Sequence, residues 1–194
     1  CFSFNGNKLI TSGGGGMIVT DNQQWAERAH YLTTQARDDP VEYLHNEIGF
    51  NYRLSNLQAA MGAAQMERID EFIAKKRHIA RTYQDGFQEA REIISMPESE
   101  GVAATYWLYT VLLDPKTTLA DRKLALRKLN EEGIGARPLW HPLHTLPPYV
   151  HSQACRMEHS VRLYERGISL PSSVGLAADD QQKCIAAVLK SVRS

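Results

Sequence analysis

The chain has 194 residues, which is enough for one full domain or for a small domain with part of another. Its 22 basic and 22 acidic residues give a formal net charge of zero and lie along the whole length, so no basic stripe is available for a nucleic-acid backbone. No apolar run approaches the roughly 20 residues of a membrane-spanning helix. With no signal-peptide pattern and three widely separated cysteines, the sequence indicates a cytoplasmic protein with reduced thiols and with neither a membrane nor a nucleic-acid partner.

Two short strands and a helix are predicted at the start of the chain. Apolar runs at residues 2–4 and 16–20 flank a glycine cluster, which is typical of neighbouring strands with a tight connection. The chain opens within an apolar alternation, which suggests a fragment, although an unusual chain boundary would look the same. Asp21 is the predicted N-cap of a helix of about four turns. The apolar residues of that helix fall at helical spacing: Trp25, Ala29 and Leu32.

One long helix is predicted from Asn56 to about residue 88, because an apolar face continues through this segment without a proline. Its first half is rich in alanine and glycine, which predicts burial against another backbone. Its second half carries several basic residues, which predicts partial exposure to solvent. Such a helix typically connects two domains, so we place one domain at residues 1–88 and a second at residues 89–194.

Strands and helices alternate in the second domain, which favours an α/β fold with one sheet against a layer of helices. Tyr106, Trp107 and Trp140 are interpreted as core aromatic residues. The predicted strands are 93–96, 106–113, 134–137 and 168–170, and the predicted helices are 119–132, 153–166 and 179–192.

Lys8 is the most informative residue for chemistry. It lies between small polar residues and glycines, beside a strand that should be buried. A lysine desolvated in such a setting favours its neutral amine, which is a nucleophile toward a carbonyl. The same residues also fit a surface lysine on a turn next to a flexible glycine linker. A phosphate loop of the GxxxxGK[ST] type is excluded, because here the glycines follow the lysine.

Three segments, in order, resemble one protein family. SFNGNKLITSGGGGMIVT resembles the cofactor-lysine segment of the DegT/DnrJ/EryC1/StrS nucleotide-sugar aminotransferases, GFNYRLSNLQAAMGAAQMERID resembles their second signature, and GIGARPLWHPLH resembles their small-domain substrate loop. The similarity covers essentially the whole chain. It implies the C-terminal half of a fold-type I α/β transferase that uses pyridoxal 5'-phosphate. The parts implied are the end of the large domain, the long interdomain helix and the small C-terminal α/β domain.

The resemblance also implies roles for individual residues. Lys8 matches the lysine that binds pyridoxal phosphate covalently and later moves the proton between cofactor and substrate. Ser3 matches a serine that donates a hydrogen bond to the cofactor phosphate. Asn51 matches an asparagine that reaches the cofactor phosphate of the partner subunit, which implies a homodimer with shared active sites. Arg53 matches a position near the substrate, where a guanidinium would suit a diphosphate; without the resemblance, Asn51 would be a turn residue and Arg53 a charge at a helix start.

His141 and His144 lie in a proline-rich loop, whose backbone is stiff enough to present side chains. An H-x-x-H pair suggests zinc, but two ligands are too few, and nearby His151, Cys155 and His159 lack a regular spacing. The sequence therefore predicts no metal site. By resemblance, His144 and His141 line the sugar pocket; loop histidines without a role are the alternative.

The implied reaction transfers an amino group from an amino acid, glutamate by family habit, to a nucleotide-linked keto sugar used in cell-surface polysaccharides or glycans. Residues 31–37 and 45–49 resemble members that act on UDP-linked 4-keto-6-deoxy-N-acetylhexosamines. Complete family members are considerably longer, and their N-terminal part supplies groups around the cofactor ring. We therefore expect this chain alone to bind pyridoxal phosphate poorly. A catalytically incompetent remnant or a structural dimerisation module is the alternative function.

Overall fold

The computed structural model describes residues 1–39 and 41–193 and has the α/β character that the sequence predicts. The chain forms two compact units, one at Cys1–Phe72 and one from Ile73 onward. The division falls inside a helix, whereas the sequence places a domain boundary at residue 88. The assignment of two domains with that boundary remains a prediction.

A two-stranded sheet and its neighbouring helix open the first unit. Strand β1 (Phe2–Ser3) pairs antiparallel with β2 (Gly16–Met17), within the predicted runs. Helix α1 (Gln23–Thr33) is capped by Asn22, whose side-chain oxygen accepts a hydrogen bond from the Trp25 N–H at 3.1 Å. The prediction that Asp21 caps this helix is therefore wrong by one residue, because an asparagine side chain caps as well as a carboxylate.

Two helices, α2 (Asn56–Met66) and α3 (Ile69–Phe87), replace the single long helix predicted. The helical ladder is interrupted where the Arg68 N–H donates to the Gln65 carbonyl at 3.1 Å, one residue nearer than in an α-helix. No described residue of α2 is buried, so the predicted burial of this half is wrong. Its small residues instead line an open apolar cavity of about 470 Å³. The buried residues lie on α3: Lys76, Ile79, Ala80, Tyr83 and Phe87.

The second unit contains a four-stranded antiparallel sheet. Its strands lie in the order β3 (Ile93–Ser95), β4 (Tyr109–Leu113), β6 (Gly167–Leu170) and β5 (Arg137–Pro138). The core forms between this sheet and the helices, because β4 alternates buried and half-buried residues. The Tyr83 and Tyr109 rings stack there with centroids 4.8 Å apart, and the Tyr83 hydroxyl donates to the Pro171 carbonyl at 2.8 Å. The helices after α3 are α4 (Leu119–Glu131), α5 (Glu158–Arg166) and α6 (Ala178–Arg193).

Lys76 is a buried lysine with only 5% of its surface exposed, although the sequence predicts solvent exposure for the basic residues of its helix. Its ammonium group donates to the Trp107 carbonyl at 2.7 Å, to the Ser172 hydroxyl at 3.0 Å and to the Ser172 carbonyl. These three acceptors match the three N–H donors of an ammonium group. Burial lowers the pKa of Lys76 from 10.5 to about 8, because desolvation disfavours the charged form.

This low pKa of Lys76 makes the stability of the protein depend on pH. Between pH 8 and 10.5 the unfolded chain still binds the proton that the folded chain has released, so the free energy of unfolding rises with pH in this window. Lys76→Met removes the titrating group. We expect the free energy of unfolding of the wild type, relative to Lys76→Met, to increase from about pH 7.5 to about pH 10 in urea denaturation. Lys123→Met, on an exposed position of α4, is the control for the general loss of a lysine; parallel pH profiles for wild type and Lys76→Met would contradict the prediction.

Candidate functional site

The first unit holds a closed loop, residues 5–11, which we call the lysine loop. The carbonyl oxygen of Phe4 accepts hydrogen bonds from the Ser12 N–H and from the Thr11 hydroxyl, both at 3.0 Å. The Thr11 N–H in turn donates to the side-chain oxygen of Gln65 on α2 at 2.9 Å. The two ends of the lysine loop are therefore fixed to each other and to a helix.

Lys8 lies half-buried within this loop and ends a tight turn, in which its N–H donates to the Asn5 carbonyl at 3.0 Å. Ser3 ends β1, is exposed, and accepts a long hydrogen bond from the Asn5 N–H at 3.4 Å. The first twenty residues contain no aspartate or glutamate. Their polar side chains are one amine, several hydroxyls and two amides, a donor set that suits a ligand with a phosphate group and a reactive carbonyl.

The glycines after the lysine loop allow the backbone to pass close to its neighbours. Gly13 and Gly15 have φ angles of +80° and +78°, in the left-handed region that other residues rarely adopt. A Cβ atom on Gly16 would lie 2.4 Å from the Phe2 carbonyl oxygen, and one on Gly15 would lie 2.3 Å from a methyl carbon of Leu54. The glycine segment 13–16 therefore has a defined backbone conformation and is not a flexible linker.

Asn51 and Arg53 lie together on a segment that is anchored to the end of α1. Two backbone N–H groups of residues 50–52 donate to carbonyls of that helix at 2.7 and 3.1 Å. Both residues are exposed and line a groove of about 990 Å³ that extends to the glycines. Lys8 and Ser3 are not among the residues that line this groove. The structure brings Asn51 and Arg53 together, and it does not place Lys8 or Ser3 with them.

His141 and His144 belong to the second unit. His141 is exposed, its Nδ1 lies 2.8 Å from the Thr145 hydroxyl oxygen, and its ring packs against Tyr164 with centroids 4.8 Å apart. His144 is half-buried within the 3₁₀ turn Leu143–Thr145. The two histidines of the H-x-x-H pair thus have different surroundings. Of the two rings, the structure describes a hydrogen bond for His141.

The aromatic residues of the second unit only partly follow the prediction that they form the core. Tyr106 is buried, with 5% of its surface exposed. Trp140 is 66% exposed and stacks on the half-buried Trp107 with ring centroids 5.9 Å apart. The interpretation of Trp140 as a core residue is therefore wrong, because it lies on the loop surface and is covered on one side by another indole.

Three residues of these sites, Gln65, Tyr164 and Thr145, are not predicted from the sequence. Gln65 and Tyr164 come from helices remote in sequence from the loops that they contact, so no local pattern indicates them. Thr145 has a weak signal, because it follows His141 by four residues, a spacing that brings side chains together in one helical turn.

The part of the chain that the structure describes contains neither a cluster of metal ligands nor a membrane-spanning helix. Within residues 1–39 and 41–193, no three histidine, cysteine, aspartate or glutamate side chains group in a way that could hold a metal ion. Among the same residues, no helix combines the length and apolar character needed to cross a bilayer.

Comparison with known proteins gives one consistent result. Residues 1–189 match the model of the DegT/DnrJ/EryC1/StrS aminotransferase family. The chain is 41% identical over 192 residues to EpsN of Bacillus subtilis (strain 168), whose name proposes a pyridoxal phosphate-dependent aminotransferase; the match covers 97% of this chain and 49% of EpsN. It is 36% identical over 191 residues to the GDP-perosamine synthase of Caulobacter vibrioides, covering 96% of this chain and 50% of that protein.

A solved structure supports the same relationship. Helicobacter pylori PseC, an aminotransferase involved in the biosynthesis of pseudoaminic acid, superposes with a TM-score of 0.90 at 26% identity. The superposition covers 99% of this chain and 52% of PseC. The chain therefore spans about half the length of the curated relatives that it matches.

The close approach of Gly16 to β1 predicts that a methyl group there is costly. Gly16→Ala should lower the free energy of unfolding by about 1–3 kcal/mol, because the new Cβ forces two paired strands apart. Gly6→Ala is the matched control, since no atom lies within 4 Å of its added Cβ. The control should leave stability unchanged or raise it by up to about 1 kcal/mol. Urea denaturation measures both, and equal stabilities of the two variants would contradict the prediction.

Proposed function

The chain belongs to the DegT/DnrJ/EryC1/StrS aminotransferase family, and from this membership we propose that it is the C-terminal half of a sugar aminotransferase. The enzyme moves an amino group from an amino acid, glutamate by family habit, to a nucleotide-linked keto sugar for cell-surface polysaccharide or glycan synthesis. The observation that carries the proposal is Lys8, held in a closed loop without carboxylates, in a segment that resembles the family's cofactor-lysine segment.

Pyridoxal 5'-phosphate is the proposed cofactor, and the donor set around Lys8 fits it. The Lys8 amine suits its carbonyl group, and the Ser3 hydroxyl suits its phosphate. The absence of aspartate and glutamate from the first twenty residues supports the binding of an anionic group there. When bound, this cofactor supplies the electron sink that lets an amino group be exchanged between two substrates.

Each candidate residue then has a separate task. Lys8 would hold the cofactor through Nζ, and its free amine would move a proton as a general base. The fixed ends of the lysine loop orient this amine. Arg53 binds the diphosphate of the nucleotide sugar through its guanidinium fork. His144 and His141 contact the sugar.

The proposed enzyme is a cytoplasmic homodimer in which Asn51 of one subunit contacts the cofactor phosphate held by the other. The exposed apolar surface of α2 supports an interface, because Leu57 and Met61 expose 84% and 51% of their surfaces. Large exposed apolar side chains in adjacent turns of a helix are typical of contact surfaces. Assays with UDP-linked and GDP-linked keto sugars in parallel identify the nucleotide and the sugar carbon that is aminated.

The proposed role of Lys8 predicts a spectroscopic result. The complete protein, in which this chain is joined to the proposed N-terminal half, should develop the visible absorbance band of the lysine-linked cofactor when mixed with pyridoxal phosphate. Lys8→Ala should lack this band, because no other amine of the loop can replace Nζ. Lys123→Ala, an exposed lysine on α4, is the control and should keep the band. Retention of the band in Lys8→Ala would remove the basis of the proposal. Absence of the band in wild-type and control protein alike would favour the incompetent remnant.

Shared active sites predict that two inactive variants restore activity when their subunits are mixed. A dimer of one Lys8→Ala subunit and one Asn51→Ala subunit has one site with both lesions and one site with neither. Random exchange should therefore recover about a quarter of wild-type aminotransferase activity, since half of the dimers are mixed and each has one intact site of two. Mixing Lys8→Ala with Lys8→Ala is the control. Failure to recover activity, with subunit exchange verified by mass spectrometry, would show that Asn51 acts within its own subunit.

A further inference from the structure

The hydroxyl group of Thr145 contacts two groups at once. Its oxygen lies 2.8 Å from His141 Nδ1 and 2.8 Å from the Pro142 carbonyl oxygen. A hydroxyl group has one proton and two lone pairs, and a carbonyl oxygen can only accept. Both contacts are hydrogen bonds only if the hydroxyl proton points to Pro142 and His141 Nδ1 carries its own proton.

The opposite arrangement is disfavoured by the same distances. If the Thr145 hydroxyl donated to an unprotonated His141 Nδ1, two oxygen atoms would lie 2.8 Å apart with no proton between them. The Pro142 carbonyl also accepts from the Thr145 N–H at 3.0 Å, so both donors of Thr145 converge on this oxygen. In its neutral form, His141 then has a protonated Nδ1 and an unprotonated Nε2, which is an acceptor.

The orientation of the His141 ring is fixed by packing as well. The ring lies against Tyr164, tilted by 50°, and the guanidinium of Arg122 lies 4.9 Å from the centre of the same tyrosine ring. Arg122 has only 2% of its surface exposed, and its Nε has no hydrogen-bond partner among the described residues. The Tyr164 ring therefore supplies a cation–π contact to this buried guanidinium. Arg122 in turn restricts the tyrosine that supports His141.

We propose that Thr145 is a positioning residue that holds His141 as the Nδ1–H tautomer, so that Nε2 accepts a hydrogen bond from a hydroxyl group of the substrate sugar. This inference rests on the proposed function for the identity of the ligand. The tautomer itself rests only on the contacts within the loop. An exposed imidazole whose Nε2 is an acceptor can accept a hydrogen bond from a sugar hydroxyl. A guanidinium or an ammonium group cannot, because both only donate.

The tautomer is measured first, without substrate. Full-length protein labelled with ¹⁵N at histidine in a deuterated background is analysed by long-range ¹H–¹⁵N correlation at about pH 8.5, where imidazole is neutral. His141→Gln assigns the signal. We expect the Nδ1–H pattern in the wild type and in Thr145→Ser, which keeps the hydroxyl, and a mixed or Nε2–H pattern in Thr145→Val. Thr105→Val, an exposed threonine of the same unit, is the control; an Nε2–H pattern for His141 in the wild type would overturn the inference.

The kinetic measurement tests the ligand. Loss of one neutral hydrogen bond should raise KM for the nucleotide keto sugar by about 2- to 10-fold in Thr145→Val. The value of kcat and the KM for the amino donor should stay unchanged, and Thr145→Ser should restore the wild-type KM. A changed tautomer with an unchanged sugar KM would overturn the acceptor role. If no aminotransfer occurs with any keto sugar, the proposed function fails, and the tautomer measurement still decides the positioning role of Thr145.

Discussion

The buried amine of Lys76 joins three separate segments of the second unit through hydrogen bonds. It holds α3 to the carbonyl of Trp107 and to Ser172, two positions remote from each other in sequence. Trp107 stacks on Trp140, which precedes the histidine loop directly. The buried hydrogen bond of Lys76 to Trp107 is thereby connected, through the stacked indoles of Trp107 and Trp140, to the exposed histidine loop. Because ammonium donors are directional and Lys76 has three acceptors, the segment at Trp107 has little freedom to shift.

One lysine in each unit, Lys8 and Lys76, shows that a buried amine is not necessarily the one that can bind a ligand. Lys76 has the lowered pKa that a search for a nucleophilic amine would select, yet its three N–H donors are all directed at protein oxygens. Its acceptors leave no access for a carbonyl ligand. Lys8 is only half-buried and lies in a loop whose two ends are held together by hydrogen bonds to the Phe4 carbonyl. A desolvated lysine is therefore a candidate for chemistry only when its surroundings leave room for a ligand.

Local pattern predicts most elements of the chain, and long-range contacts decide what it misses. Most strands and helices of the second unit follow their predicted positions, because alternating and helical apolar spacing agree there with the turns between them. Two predictions are partly wrong: β5 overlaps the predicted strand 134–137 only at Arg137, and α5 begins at Glu158, five residues after the predicted start. The break between α2 and α3 leaves no trace in the apolar pattern, because the face continues across Arg68 while one hydrogen bond changes register. The surroundings of Lys76 and Trp140 depend on partners far away in sequence. Motif resemblance indicates Lys8 and His141, but the partners Gln65, Thr145 and Tyr164 require coordinates.

Under the proposed function, the candidate residues divide the recognition of a nucleotide sugar by charge. A diphosphate is anionic and is matched by the guanidinium of Arg53, whereas a sugar ring is neutral and is distinguished mainly by the direction of its hydroxyl groups. A histidine without a fixed tautomer does not distinguish that direction, because its Nε2 can be either a donor or an acceptor. The Thr145 hydroxyl removes this ambiguity by occupying Nδ1 of His141. The specificity of such a loop then resides in a residue that need not touch the sugar at all.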